Sequence, residues 1–118
     1  VPGQNKFPRA ARLTRKSEYE TVFRHGERVS GRAFVCYWRR REAQGCKLGM
    51  TVSRKVGNAV VRNRIKRHVR EFFRTHRALF CEPVDVAVIA RTESAGLSGR
   101  ECAVALRELL QRGRIMHG

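Results

Sequence analysis

The segment Val56 to Glu71, VGNAVVRNRIKRHVRE, constrains this chain more than any other stretch. It carries Arg62, Arg64, Lys66, Arg67 and Arg70, and the same run continues with Arg74 and Arg77. At about 100° per residue, Val61, Ile65, Val69, Phe72 and Phe73 share one side of a helix. Asn63, Lys66, Arg67, Arg70 and Arg74 share the other. Such a helix must bury its apolar side in a core and leave a broad cationic side outward. A nucleic-acid backbone is the most economical occupant of that side.

The rest of the chain agrees. Its 118 residues suit one RNA-binding domain, 1–118, built on a single core, with 1–12 as a basic N-terminal arm. Lys and Arg number 26 against 10 acidic residues, a formal net charge of +16. Self-repulsion of that size weakens a compact monomer, so it points to a polyanionic partner. Arg far outnumbers Lys, which suits bidentate phosphate contacts and stacking on structured RNA, although a GC-rich genome biases composition the same way. No apolar run approaches the roughly 18 residues of a membrane span, and no signal core opens the chain, so a cytoplasmic protein without membrane contact is expected. Cys36, Cys46, Cys81 and Cys102 contain no CxxC pair and read as free thiols, neither zinc ligands nor a disulfide framework.

Val1 to Arg12, with Pro2, Gly3 and Pro8, reads as an extended arm. Thr14 is a candidate N-cap for a short helix carrying Tyr19, Val22 and Phe23, closed by Gly26 as a left-handed C′ residue. Ser17-x-x-Glu20 is the alternative cap, as a capping box. After the Ser30-Gly31 turn, Ala33 to Arg39 alternates, with Phe34, Cys36 and Trp38 on one face and Val35 and Tyr37 on the other. Glu42 to Gly45 supplies a turn, and Lys47 to Ser53 alternates through Leu48, Met50 and Val52. These two strands are expected to pair antiparallel. Asn58 is the N-cap of the long helix. Val84 to Ala90 reads as a strand buried on both faces. Ser94 to Gly99 reads as a loop. Within it, Ser98-x-x-Glu101 opens a final helix that turns Ala103, Leu106, Leu109 and Leu110 inward and ends at Gly113. The order, helix, two or more strands, helix, strand, helix, predicts an α+β fold (an α/β sandwich) with helices packed on one mixed sheet.

A nuclease acting through protein-bound metal needs converging carboxylates. Asp85 is the only Asp, set inside an apolar strand. The glutamates, among them Glu18, Glu20, Glu71, Glu101 and Glu108, lie among basic residues and read as helix pairs and caps. His68 and His76 border the apolar side of the long helix, His25 meets a helix C-terminus, and His117 is near the chain end. None of these makes an acid–base pair, so no catalytic residue and no protein-held metal is expected. Binding is better served. Gly57-Asn58 exposes backbone N–H groups at a helix N-terminus, which attracts phosphate. Arg62, Arg64, Lys66 and Arg67 oppose the dipole there, each at about 0.3–1 kcal/mol, a cost that a bound anion offsets. Tyr19, Phe23 and Tyr37 each read as core when taken alone. Together they can line a groove where single-stranded bases stack, worth about 1–3 kcal/mol per base.

These residues carry a resemblance. GNAVVRNRIKRHVRE, Gly57 to Glu71, resembles the arginine-rich signature of the bacterial ribonuclease P protein family. Phe7-Pro8-Arg9, Arg12-Leu13, Glu18-Tyr19, Val22-Phe23, Gly49-x-Thr51-Val52-Ser53-Arg54-Lys55 and Asp85-x-x-x-x-Ala90-Arg91 follow in family order. The resemblance implies a non-catalytic subunit of an endonuclease that removes the 5′ leader of precursor tRNA. The ribonuclease P RNA, with its Mg²⁺, would be the catalyst, and no obligate protein partner is implied.

By matching position, Arg62, Asn63, Arg64, Lys66, Arg67, Arg70 and Arg74 would form an RNA-binding helix face, with Arg54, Lys55 and Asn58 beside it. Tyr19, Phe23 and Tyr37 would line a leader cleft. Tyr19 stands where many relatives carry Phe, and its hydroxyl needs a partner. The family fold resembles a ribosomal-protein domain with a left-handed βαβ crossover, the reverse of the usual hand. A ribosomal or general structured-RNA-binding protein is the alternative reading.

Overall fold

The computed structural model describes residues 12–13, 15–41, 46–76, 79–80 and 83–116. The arm before Arg12, the Thr14 cap, the 42–45 turn, Arg77, Cys81, Glu82 and His117 lie outside the described residues. In chain order the elements are α1 (Lys16–His25), β1 (Glu27–Ser30), β2 (Phe34–Arg40), β3 (Lys47–Thr51), α2 (Ala59–His76), β4 (Val84–Ala90) and α3 (Gly99–Arg112), with a 3₁₀ turn at Thr92–Gly96.

The strands form one mixed sheet in the order β1-β2-β4-β3. β4 runs antiparallel to β2 and parallel to β3, so β3, α2 and β4 make a βαβ unit. This corrects the expected β2–β3 pair. β4 separates those strands because Val84, Val86, Ala87, Val88 and Ala90 are all buried, and a strand buried on both faces belongs between neighbours. β2 and β3 still run in opposite directions, as their shared neighbour requires. β1 pairs antiparallel with β2 and brings the strands before α2 to three. Its sequence, ERVS, is mostly exposed and lacks an apolar alternation, so nothing local announces it.

α1 lies against one face of the sheet, contacting β2 and β4, with Val22, Leu13 and Ala87 buried between them. The main core occupies the other face. There Phe34, Cys36, Trp38, Leu48, Val86 and Val88 meet Ile65, Val69, Phe72 and Phe73 of α2 and Leu106, Leu109 and Leu110 of α3. The apolar side of α2 is thus the side read from its periodicity. Burial pushes the Cys36 thiol up to about 12. Cys36, Cys46 and Cys102 are free thiols.

Caps set the helix starts. Asn58 Oδ1 accepts the Val61 N–H at 3.0 Å, as expected for α2. For α3, Ser98 Oγ accepts from Glu101 N at 3.1 Å while Ser98 N donates to Glu101 Oε1 at 3.0 Å, closing the capping box. α1 differs from expectation. Its cap is Arg15, whose N–H donates to Glu18 Oε1 at 3.1 Å, and Ser17 sits inside the helix with its carbonyl accepting the Thr21 hydroxyl. Glu20 instead pairs with Lys16 at 3.8 Å.

Gly26 is extended, at φ −87°, not left-handed. Glycine is required there by close approach, since a Cβ would lie 2.3 Å from the Val22 oxygen and 2.5 Å from that of Trp38. The expected loop at Ser94–Gly99 is partly ordered into the 3₁₀ turn, where buried Ser94 donates its hydroxyl to Arg91 O at 2.7 Å.

Candidate nucleic-acid interface

α2 leaves Asn63 and Arg67 exposed and Arg62, Lys66, Arg70 and Arg74 half-buried. Arg64 is different. Its Nη2 donates to Ala95 O at 2.8 Å, so it ties α2 to the 3₁₀ turn. Arg74 is also engaged, with Nε 3.0 Å from Glu71 Oε2, and that pairing holds the Glu71 carboxyl below its ordinary range. Asn58 uses its side-chain oxygen as the α2 cap. Arg54 and Lys55 are exposed in the turn between β3 and α2. His68 borders the basic face. Burial first, then the charges of Arg67 and Arg64, lowers its pKa below 6.5.

The aromatic residues assemble on the opposite face of the sheet, beside α1. Tyr19 and Phe23 are one helical turn apart with ring centroids at 6.2 Å, and Phe23 meets Tyr37 edge-on at 4.9 Å. Phe23 remains 38% exposed, an unusual state for a phenylalanine in a cluster. Tyr37 pairs with Ala87, which pairs with Gly49, so small residues at these positions let Val22 and the Tyr19 ring pack down onto the sheet. The Tyr19 hydroxyl accepts the Met50 N–H at 3.2 Å, which gives the extra hydroxyl its partner. Burial raises the Tyr19 phenol above its ordinary value.

Arg28, which the sequence reading missed, extends this site. It pairs with Tyr37 across the β1–β2 ladder and holds its guanidinium 6.0 Å from the Tyr37 ring centroid. No local signal marks it, because its role depends on β1 joining the sheet. Farther along the same face the charges are compensated. Arg41 Nε lies 3.2 Å from Asp85 Oδ1, and Lys47 Nζ lies 3.1 Å from Glu18 Oε2. Burial raises the Asp85 carboxyl, and Arg41 and Lys47 oppose that shift. The two predicted sets are therefore on different faces of the sheet, joined by the turn that carries Arg54 and Lys55. Among the described residues no three His, Cys, Asp or Glu side chains converge to hold a metal, and no helix is long and apolar enough to cross a membrane.

The Ribonuclease P family model matches residues 7–114. The chain belongs to the Ribonuclease P protein family. A Ribonuclease P protein component from Exiguobacterium sibiricum is 38% identical over 105 residues, covering 88% of this chain and 90% of that protein. One from Desulfosudis oleivorans is 39% identical over 106 residues, covering 90% and 88%. The solved Staphylococcus aureus RNase P protein superimposes with a TM-score of 0.86 at 31% identity, covering 92% of this chain and all of that one. Membership makes the chain a component of an endoribonuclease complex of tRNA processing, which implies an RNA partner. The mixed four-stranded sheet with three helices is the architecture of its structural relatives.

Proposed function

We propose that the protein is the non-catalytic subunit of ribonuclease P, binding both the catalytic RNA and the 5′ leader of precursor tRNA. In this reading Asn63, Lys66, Arg67 and Arg70 on α2, with Arg62, Arg54 and Lys55, grip the phosphate backbone of the RNA subunit. Guanidinium groups suit that task through bidentate phosphate contacts. The leader, single-stranded, enters the cleft on the other face, where Tyr19, Phe23 and Tyr37 stack its bases and Arg28 meets its backbone.

The observation that carries the reading is the division of the two residue sets between the two faces of one thin sheet. A single small domain can then hold two RNAs at once. Between them, its +16 charge screens phosphate repulsion. Mg²⁺ acts through the RNA subunit, and the protein contributes placement and charge.

Reconstitution tests this directly. Adding the protein to a bacterial ribonuclease P RNA should restore cleavage of precursor tRNA at low Mg²⁺, and protein freed of RNA should cleave nothing. A preparation that leaves cleavage unchanged, or binds precursor and mature tRNA alike in the presence of the RNA, returns the protein to general RNA binding. Cleavage by rigorously RNA-free protein would place the chemistry in the protein itself.

A further inference from the structure

We propose that a cavity at the β4 N-terminal end of the sheet is a nucleotide-binding site separate from the aromatic cleft. The cavity, about 580 Å³, opens where β2 ends and β4 begins, opposite the end from which β3 leads into α2. That volume falls in the range of small-molecule sites. Trp38, Val84 and Ile115 give it an apolar lining, and Arg39, Arg40 and Arg114 a cationic one. The narrow apolar strip left by these three buried side chains takes the edge of a base, and a phosphate fits the second set through guanidinium bonds. Glu27, also on the wall, can accept hydrogen bonds from ribose hydroxyls or an exocyclic amine.

The backbone singles out Arg114. α3 ends in a Schellman motif in which the Ile115 N–H donates to Leu110 O at 3.2 Å and the Arg114 N–H to Gln111 O at 3.0 Å. The motif requires a left-handed residue at 114, usually glycine, yet Arg114 takes it at φ 65°. Gly113 stands one position too early. It is held to close packing, since a Cβ there would lie 3.0 Å from the Trp38 ring.

Arg114 is the one non-glycine residue with positive φ among those described. Strain of this kind points to function when a neighbouring site uses the side chain. Here it sets a guanidinium on the cavity beside Trp38 and Ile115. Complementing the helix dipole does not require it, because Arg112 already occupies the last turn of α3 with ordinary helical backbone.

Trp38 is the sole tryptophan of the chain, so its emission reports on this cavity. Titrating the full chain with adenosine or guanosine 5′-diphosphate should change that emission saturably. Arg114→Gly relieves the left-handed strain, so it should raise the thermal midpoint while weakening nucleotide binding at least tenfold. Arg39→Ala, which leaves the turn untouched, should weaken binding as well. Displacement of the diphosphate by a short single-stranded RNA identifies the natural ligand as a nucleotide within a strand, and a persistent signal identifies a free nucleotide. The site is overturned if emission shows no saturable change, or if both variants bind the diphosphate as the parent does.

Discussion

The ring of Tyr19 rests on the α-carbon of Gly49, so closely that a Cβ there would stand 2.5 Å from Cε1. Its hydroxyl reaches past that glycine to the Met50 N–H on β3, an edge strand of the sheet. On the same outer edge the Leu13 N–H donates to Leu48 O at 2.8 Å. Leu13 and Tyr19 therefore cover alternate residues of an edge that would otherwise present open ladder groups. The same contacts dock α1 at the height that lets Phe23 reach Tyr37.

Gly49→Ala should consequently displace Tyr19 and lower stability by about 1–3 kcal/mol, the usual cost of overpacking. Leader binding should fall with it. Tyr19→Phe keeps the ring and loses the Met50 bond, so it should cost about 1 kcal/mol and leave leader affinity nearly intact. Urea unfolding together with precursor-tRNA binding separates the two variants.

Arg64 and Arg67 are expected to fail in different ways. Arg67→Ala removes an exposed cation, so it should weaken RNA-subunit binding and lower the salt slope by about one unit, with unchanged folding stability. Arg64→Ala removes the bond to Ala95 O, so its main effect should be a loss of about 1–2 kcal/mol in folding stability. A salt titration of both variants decides; equal slopes would mean that Arg64 also reaches phosphate.

Phe23→Ala should weaken precursor tRNA more than mature tRNA in the reconstituted complex, because its ring stays 38% exposed between Tyr19 and Tyr37 and so is open to a stacked base. Paired affinity measurements check this. Equal losses for both RNAs would assign Phe23 to packing alone.

His68 should make folding sensitive to mild acid. Its folded pKa is lowered, first by burial and then by Arg67 and Arg64, so the unfolded chain binds the proton more readily. Its contribution is complete above the unfolded value of 6.5, declines as pH falls from there, and levels off below the folded pKa. Urea midpoints taken between about pH 7.5 and 5.5 should drop for the parent chain and drop less for His68→Gln. An identical drop in both would exclude His68 as the source.

Much of the fold is legible in the residue order. The faces of α2, the Asn58 cap, the doubly buried Val84–Ala90 strand and the Ser98–Glu101 box all arise from residues within one or two turns of each other. Spacing records such short-range order directly. The grouping of Tyr19, Phe23 and Tyr37 was expected from the family resemblance, and the ring contacts bring these three together.

Other features depended on partners far along the chain. Nothing local could state that β4 would separate β2 from β3, that ERVS would become a strand, or that Arg64 would turn to Ala95, 31 residues away. Gly26 and Gly49 show the same division. Sequence alone suggests a glycine for its backbone freedom, whereas packing requires both for the absence of a Cβ against a neighbouring carbonyl or ring. A basic amphipathic helix on a mixed α+β core can be read from residue order, because periodicity and capping are local. Strand order, which arginines remain outward, and how α1 closes over the β3 edge emerge only on folding, because they follow from burying apolar faces and pairing backbone groups across the whole domain.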